Sequence, residues 1–359
     1  MDALLSELKK IYESPVLPPH DDLLSLVDEG ITVLEHESED YRKRYDFSGD
    51  KKSGGLLDFT AMERLPLVVV PDLHARCDFF MHLMQFPLKD VDSLTVLDAL
   101  RQGRIRVVCV GDLFHSERRG RERWLLAWDA YERGDYASPE MSDEMRENLL
   151  LFQMVLRVKE AFPSCFHFLK GNHENILNEG GRGNYPFRKF ADEGNMVYDF
   201  MAAQYGDAVL HVMSLWEHSL PLCALFPNCV VSHAEPKSVY TREEIIAYEK
   251  NPAMVLGLTW TANDEAEIGS VEQNLRNLLG EENTEDAVWL SGHRPVKERY
   301  ALRQDGRLVQ IHNPDREQIA VVLPGKRFEP ETDVVEVGKS ADNAVAIHGD
   351  KKDALTRSL

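Results

Sequence analysis

The 359-residue sequence is short of cysteine, of basic charge and of long apolar runs, and each shortage excludes something. Its five cysteines, Cys77, Cys109, Cys165, Cys223 and Cys229, are odd in number and include no Cys-x-x-Cys pair. A disulfide framework and a thiolate zinc site are therefore not indicated. Cys109, Cys165 and Cys229 lie in apolar runs, where a free thiol acts as a small hydrophobe. Lys plus Arg number 41 against 61 Asp plus Glu, a formal charge of −20. A chain this acidic lacks the basic face of a nucleic-acid binder and is not drawn to an anionic membrane surface. No apolar run approaches the roughly 18 residues of a membrane helix. Residues 1–10 also lack the basic-then-apolar order of a signal peptide. The expectation is a reducing, cytoplasmic setting without membrane attachment. The sequence contains no internal repeat and no low-complexity block.

What is present begins with a helical preface. Leu23, Val27, Ile31 and Leu34 recur at spacings of three and four, and Asp21 is placed to cap the turn after Pro18-Pro19. A polar, glycine-bearing connector follows at 47–55. From Leu65 onward, short β-branched runs alternate with helical patterns. The runs are Leu67–Val70, Ile105–Val110, Phe166–Leu169, Cys229–Val231 and Ala287–Leu290. They read as buried strands, with helices over Arg121–Glu132 and Glu144–Phe162, and together imply an α/β layered fold. Tyr300–Arg303 and Leu308–His312 flank a Gln304-Asp305-Gly306 turn and read as a hairpin. Gln318–Leu323 reads as a last strand. The expected organisation is a helical N-terminal extension over 1–62, a catalytic domain over 63–325, and a charged, mobile tail over 326–359.

Several of these runs end in polar side chains, where open α/β sheets build their sites. In order they supply Asp72-Leu73-His74, Gly111-Asp112-Leu113-Phe114-His115, Gly171-Asn172-His173-Glu174, Ser232-His233 and Ser291-Gly292-His293. The successive gaps from Asp72 to Asp112, Asn172, His233 and His293 are 40, 60, 61 and 60 residues, room for a strand–helix–strand passage plus insertions. A lone Asp-x-His or a lone His after a strand is more often capping or packing than chemistry. Five such blocks in order, each after an apolar run, are not. Carboxylate, imidazole and amide oxygens together suit first-row divalent ions such as Mn, Fe or Zn. A carboxylate such as Asp112 can bridge two ions held roughly 3.5–4 Å apart.

This set of blocks resembles the calcineurin-like metallophosphoesterase superfamily over about residues 65–325. Within it the chain looks closest to the phosphoprotein phosphatase branch, which holds Ser/Thr phosphatases and symmetrical diadenosine tetraphosphate hydrolases. His74-Ala75-Arg76-Cys77-Asp78, Leu220-Pro221-Leu222 and Gly292-His293-Arg294-Pro295-Val296 support the resemblance, and Thr259-Trp260-Thr261 matches it loosely. It implies a four-layer α/β/β/α sandwich with two divalent transition-metal ions. One would be held by Asp72, His74 and Asp112, the other by Asp112, Asn172, His233 and His293. A bridging hydroxide would attack phosphorus in line, His173 would protonate the leaving oxygen, and Glu174 would orient its neighbours. The implied activity is hydrolysis of a phosphate monoester, on a small molecule or a phosphoprotein. The alternatives are a dinucleoside polyphosphate hydrolase, a nuclease, and a non-catalytic protein-binding module that keeps the fold.

The pattern departs from that branch in specific places. Pro71 replaces the glycine before the first aspartate. His115 and Ser116 stand where an aspartate that polarises the general acid and an arginine that grips phosphate are expected. Gly-Asp-Leu-Phe-His instead resembles the DNA-repair nucleases of the superfamily, which makes His115 a second catalytic candidate. Those nucleases end in Gly-His-x-His, but Pro295 occupies the place of the second histidine, and the charge of −20 also disfavours DNA. A cation must still meet the substrate oxygens. Arg76, Lys170, Arg119 and Arg182 lie near motif residues, and Arg118 and Arg294 are the chosen candidates. His82 and His211 are expected to pack, Trp124 and Trp128 to be core, and His312, which ends a run but matches no ligand motif, is set aside.

Overall fold

A computed structural model describes residues 3–181 and 183–338. Strands form where short β-branched and aromatic runs are buried on both faces. In chain order the main ones are β1 (Leu56–Asp58), β2 (Leu67–Val70), β3 (Arg106–Cys109), β4 (Phe166–Phe168), β5 (Cys223–Phe226), β6 (Cys229–Ser232), β7 (Val288–Ser291), β8 (Ala301–Arg303), β9 (Leu308–Gln310), β10 (Gln318–Val322) and β11 (Val334–Glu336). A five-stranded sheet has the order β11-β10-β2-β3-β4, and a six-stranded sheet the order β8-β9-β7-β6-β5-β1. Two parallel sets matter for the site: β2, β3 and β4 in the first sheet, and β6, β7 and β9 in the second.

The two-residue alternation of side chains sorts these strands into layers. Val68, Val70, Val107, Cys109, Phe166 and Phe168 point outward into a core shared with helices α1 (Ala3–Tyr12), α2 (His20–Glu35), α3 (Cys77–Gln85), α4 (Arg121–Tyr131), α5 (Pro139–Ala161) and α6 (Glu193–His218). Leu67, Val69 and Val108 point the other way, onto Ala224, Val231, Leu290 and Val309 of the second sheet. The far side of that sheet, through Leu225, Val230 and Trp289, meets α7 (Pro252–Thr259) and α8 (Ser270–Leu279). The result is an α/β/β/α sandwich.

Within residues 1–62, Leu8, Leu23, Leu26, Val27 and Leu34 sit in the same core as the first sheet, and β1 is an edge strand of the second. Part of the expected tail is also folded. Phe328 and Val334 are buried, and β11 pairs antiparallel with β10. Residues 339–359 lie outside the described residues. Asp21 is inside the first turn of α2 rather than at its cap, which Pro19 occupies. Helix α6 has no counterpart in the sequence reading, because Gly194 and Gly206 interrupt its apolar stripe and Gly206 leaves helical angles.

Candidate metal centre between the two sheets

The C-terminal ends of the two parallel sets converge. From the first sheet come Asp72 and His74 after β2, Asp112 after β3, and Asn172 and His173 after β4. From the second come His233 after β6 and His293 after β7. Asn172 Oδ1 lies 2.9 Å from both His233 Nε2 and His293 Nδ1, and His233 Nε2 lies 3.4 Å from Asp112 Oδ1. His74 Nε2 is 3.8 Å from Asp72 Oδ2 and 3.6 Å from Asp112 Oδ2, and His173 Nε2 is 3.7 Å from that same oxygen. All six expected metal ligands and His173 therefore meet in one place.

Ring orientation is set by bonds made away from the centre. His74 Nδ1 meets the Phe114 carbonyl at 3.0 Å and His233 Nδ1 the Val110 carbonyl at 3.1 Å. Each bond puts the proton on Nδ1 and turns the Nε2 lone pair inward. The backbone is drawn in by carboxylates. Glu174 accepts the N–H groups of Asp112, Leu113 and Gly171, and Asp72 accepts that of His293 across the sheet boundary. His74, Asp112, His115, Glu117 and His293 all hold left-handed φ, an arrangement that costs of order 1–3 kcal/mol each and clusters at functional sites. The motif glycines allow the close approach: a Cβ on Gly292 would fall 1.8 Å from Asp72 Oδ1, and one on Gly171 2.3 Å from Asp112 Oδ1.

The electrostatics call for a cation. Asp72, Asp112, Glu117 and Glu174 are all buried around the centre. Burial, followed by the facing charges of Asp72 and Glu174, pushes the Asp112 carboxyl well above its ordinary value. Burial holds His74 down to about 3 and His233 down to about 4, so both are neutral and free to ligate. His293 is held well below its ordinary value by burial and by His233. Three groups bring their ligand atoms within 4.8 Å of one another: Asp72–His74–His312, His74–Asp112–His173 and Asp112–His233–His293. Buried carboxylates facing neutral imidazoles fit a pair of divalent ions, and Asp112 is common to two of the groups.

His173 is 12% exposed, stacks 4.3 Å from the Phe187 ring, and receives its placement from its own N–H bonded to Asp112 Oδ1. Burial, then His74, His115 and His233, hold it well below an ordinary histidine. His115 lies underneath. It is fully buried, stacked 4.9 Å from Trp124 and 5.5 Å from His173, with Nδ1 accepting the Glu117 N–H and Nε2 3.5 Å from Glu193. It has no surface to offer a substrate. Arg118 lines a cavity of about 260 Å³ beside His74, but its guanidinium is exposed and paired with Asp315 at 2.5 Å. Arg294 adjoins His293, and its Nε is buried without a hydrogen-bond partner among the described residues. Arg119 is paired with Glu147, Arg76 bonds backbone carbonyls, Lys170 is buried behind Glu174, and Arg182 lies outside the described residues. His82 is half exposed and paired with Glu317 rather than packed.

The sequence reading set His312 aside and did not reach Glu117 or Lys189. His312 is fully buried with Nδ1 3.8 Å from Asp72 Oδ2. Glu117 reaches His312 Nε2 at 3.2 Å and His74 Nε2 at 3.6 Å, and Lys189 Nζ holds it at 2.8 Å. The available signal for His312 was that it ends an apolar run as His233 and His293 do.

No protein-family model and no curated protein matches the chain. Among solved structures it is similar to a protein serine/threonine phosphatase from Saccharomyces cerevisiae with similarity to human phosphatase PP5. That likeness has a TM-score of 0.53 at 13% identity and covers 89% of each chain. It is also similar to a cold-active protein-tyrosine phosphatase of a psychrophilic Shewanella, with a TM-score of 0.42 at 13% identity, over 75% of this chain and 77% of that one. At such identities likeness speaks for the fold alone, and the second superposition is too loose to add to it. The chain therefore shares the fold of that serine/threonine phosphatase, the fold its motifs led one to expect.

Proposed function

We propose that the chain is a two-metal phosphomonoesterase. The observation that carries this reading is Asp112, a buried carboxylate shared by ligand groups on both of its sides. Asp72, His74 and Asp112 would hold one divalent ion of the Mn, Fe or Zn kind, and Asp112, Asn172, His233 and His293 the other. Bound there, such a pair lowers the pKa of water and neutralises charge on the phosphoryl oxygens.

The chain's own residues do the rest. Glu174 fixes the loops that carry Asp112 and Asn172, so the ligands are positioned before substrate arrives. His173, oriented by Phe187 and backed by His115, would protonate the leaving oxygen. It is neutral in the free protein, and an arriving phosphate dianion raises its proton affinity so that it can donate. Arg294, whose Nε has no hydrogen-bond partner among the described residues, would meet a phosphoryl oxygen, and Arg118 can join it only by leaving Asp315. The acidic surface supports a small phosphate or phosphoprotein over nucleic acid. Among the described residues no helix is long and apolar enough to cross a membrane.

The test is chelator-stripped protein given Mn²⁺ with p-nitrophenyl phosphate and, in parallel, bis(p-nitrophenyl) phosphate. Metal-dependent turnover favouring the monoester is expected, and Asp112→Asn should abolish it along with metal uptake. Full activity in Asp112→Asn would overturn the two-metal reading, and preference for the diester would overturn the monoester assignment.

A further inference from the structure

We infer that His312 is a ligand of the first ion, contributed from the second sheet, and that Glu117 and Lys189 serve to aim its ring. The inference rests on the two-ion reading above and extends its ligand set.

Four observations meet at this imidazole. First, its ring is fully buried, so bulk water does not satisfy it. Second, Nε2 lies 3.2 Å from Glu117 Oε2 and 3.3 Å from Oε1, so the Nε2–H donates to the carboxylate. That bond fixes the tautomer and leaves the lone pair on Nδ1, which has no hydrogen-bond partner among the described residues. Third, Nδ1 lies 3.8 Å from Asp72 Oδ2, and that oxygen is 3.8 Å from His74 Nε2. These distances are too long for hydrogen bonds and suit neighbouring ligands of one ion. Fourth, His312 stands two residues beyond the end of β9 as His293 stands two beyond β7, and the two strands are parallel neighbours. The second sheet thus presents His233, His293 and His312 in a row.

The surroundings are built for this purpose. A ligating histidine commonly gives its other ring proton to a carboxylate, which fixes the ring and raises its basicity. Glu117 is that carboxylate, buried on a backbone of left-handed φ and tied to Lys189 at 2.8 Å. The first ion would then be held by Asp72, His74, Asp112 and His312. An added imidazole favours Mn, Fe, Co or Zn over the oxygen-seeking Mg and Ca.

The experiment titrates chelator-stripped full-length protein with Mn²⁺ by calorimetry, for the wild type, His312→Gln and Glu117→Gln. Near-ultraviolet circular dichroism of each metal-free protein checks the fold. The wild type should take up two ions. His312→Gln should take up one at concentrations that fill both wild-type sites, with the other site's affinity unchanged. Glu117→Gln, which keeps the imidazole, should weaken the same ion about 10–100-fold, and it decides the matter if His312→Gln misfolds. With Co²⁺ as probe, the visible spectrum of the first site should change in both variants. Two ions bound with wild-type affinity in both variants would overturn the assignment of His312. A wild type that takes up no ion would instead overturn the two-metal reading itself, and the shared titration series separates these failures.

Discussion

A proton donor has to be judged by what it is asked to protonate. His173 stands 3.7 Å from Asp112 Oδ2 with its ring clamped on Phe187. If it delivers the proton to the leaving oxygen, His173→Asn should lower kcat about 10²–10⁴-fold on an alkyl phosphate. The loss should be much smaller on p-nitrophenyl phosphate, whose leaving group needs no proton. Equal losses on both substrates would mean that His173 positions the phosphate instead. Gly292 offers a second test at this scale. A Cβ there would strike Asp72 Oδ1, so Gly292→Ala should lose metal from equilibrium dialysis while keeping its secondary structure by circular dichroism. The residues that the sequence disclosed are those whose type, order and strand-end position form a pattern: Asp72, His74, Asp112, Asn172, His233 and His293. Glu117 and Lys189 were not legible, because tertiary folding alone brings a loop carboxylate and a lysine from a different loop to His312.

The strands that were read were legible because β-branched runs buried on both faces leave a continuous apolar signal, and their ends fell within two residues of expectation, whereas β1, β5 and β11 went unread. Elements whose signal is interrupted, such as α6 with Gly206, were not. One contact between elements adds to the acid sensitivity that the buried histidines of the centre already imply. Glu37, just past α2, is buried against Lys159 of α5, His167 of β4 and Arg42. Burial alone would raise its carboxyl, but Lys159, Arg42 and His167 override this and hold it well below its ordinary value. Burial, with Lys159 beside it, lowers His167 to about 4. The signs agree. A depressed histidine contributes stability that is complete above its unfolded value near 6.5 and lost as pH falls toward 4. A depressed carboxylate contributes stability that is complete above its ordinary range and lost further down. The thermal midpoint should therefore fall as pH drops from 6.5 to 4, and His167→Gln should flatten that slope. Glu37→Gln should cost about 3–5 kcal/mol in denaturant unfolding, because it leaves Lys159 and Arg42 buried with their partner's charge removed.

For the whole molecule, the layer order was legible through the likeness of the motif set to a known fold, and the alternation of side chains along the strands then assigns each face to its layer. The polar connector read at 47–55 leads directly into β1, which enters the second sheet, and the helices before it complete the first core. The placing of the ligands has a further consequence for the sandwich as a whole. Asp112 and Asn172 belong to one sheet and His233 and His293 to the other, so the second ion would act as a rivet through the seam between them. Binding energy at the site then becomes cohesion between the two halves. At a free ion concentration 100 times Kd, such binding adds about 2.7 kcal/mol to the folded state. Stripping the metal should lower the melting temperature and speed amide hydrogen exchange along β2, β3, β6 and β7, the strands that face one another across the seam. Exchange confined to the ligand loops would show that the sheets hold together without help. A protein riveted in this way loses more than its chemistry when it loses its metal, since the same chelation that silences the site also loosens the seam.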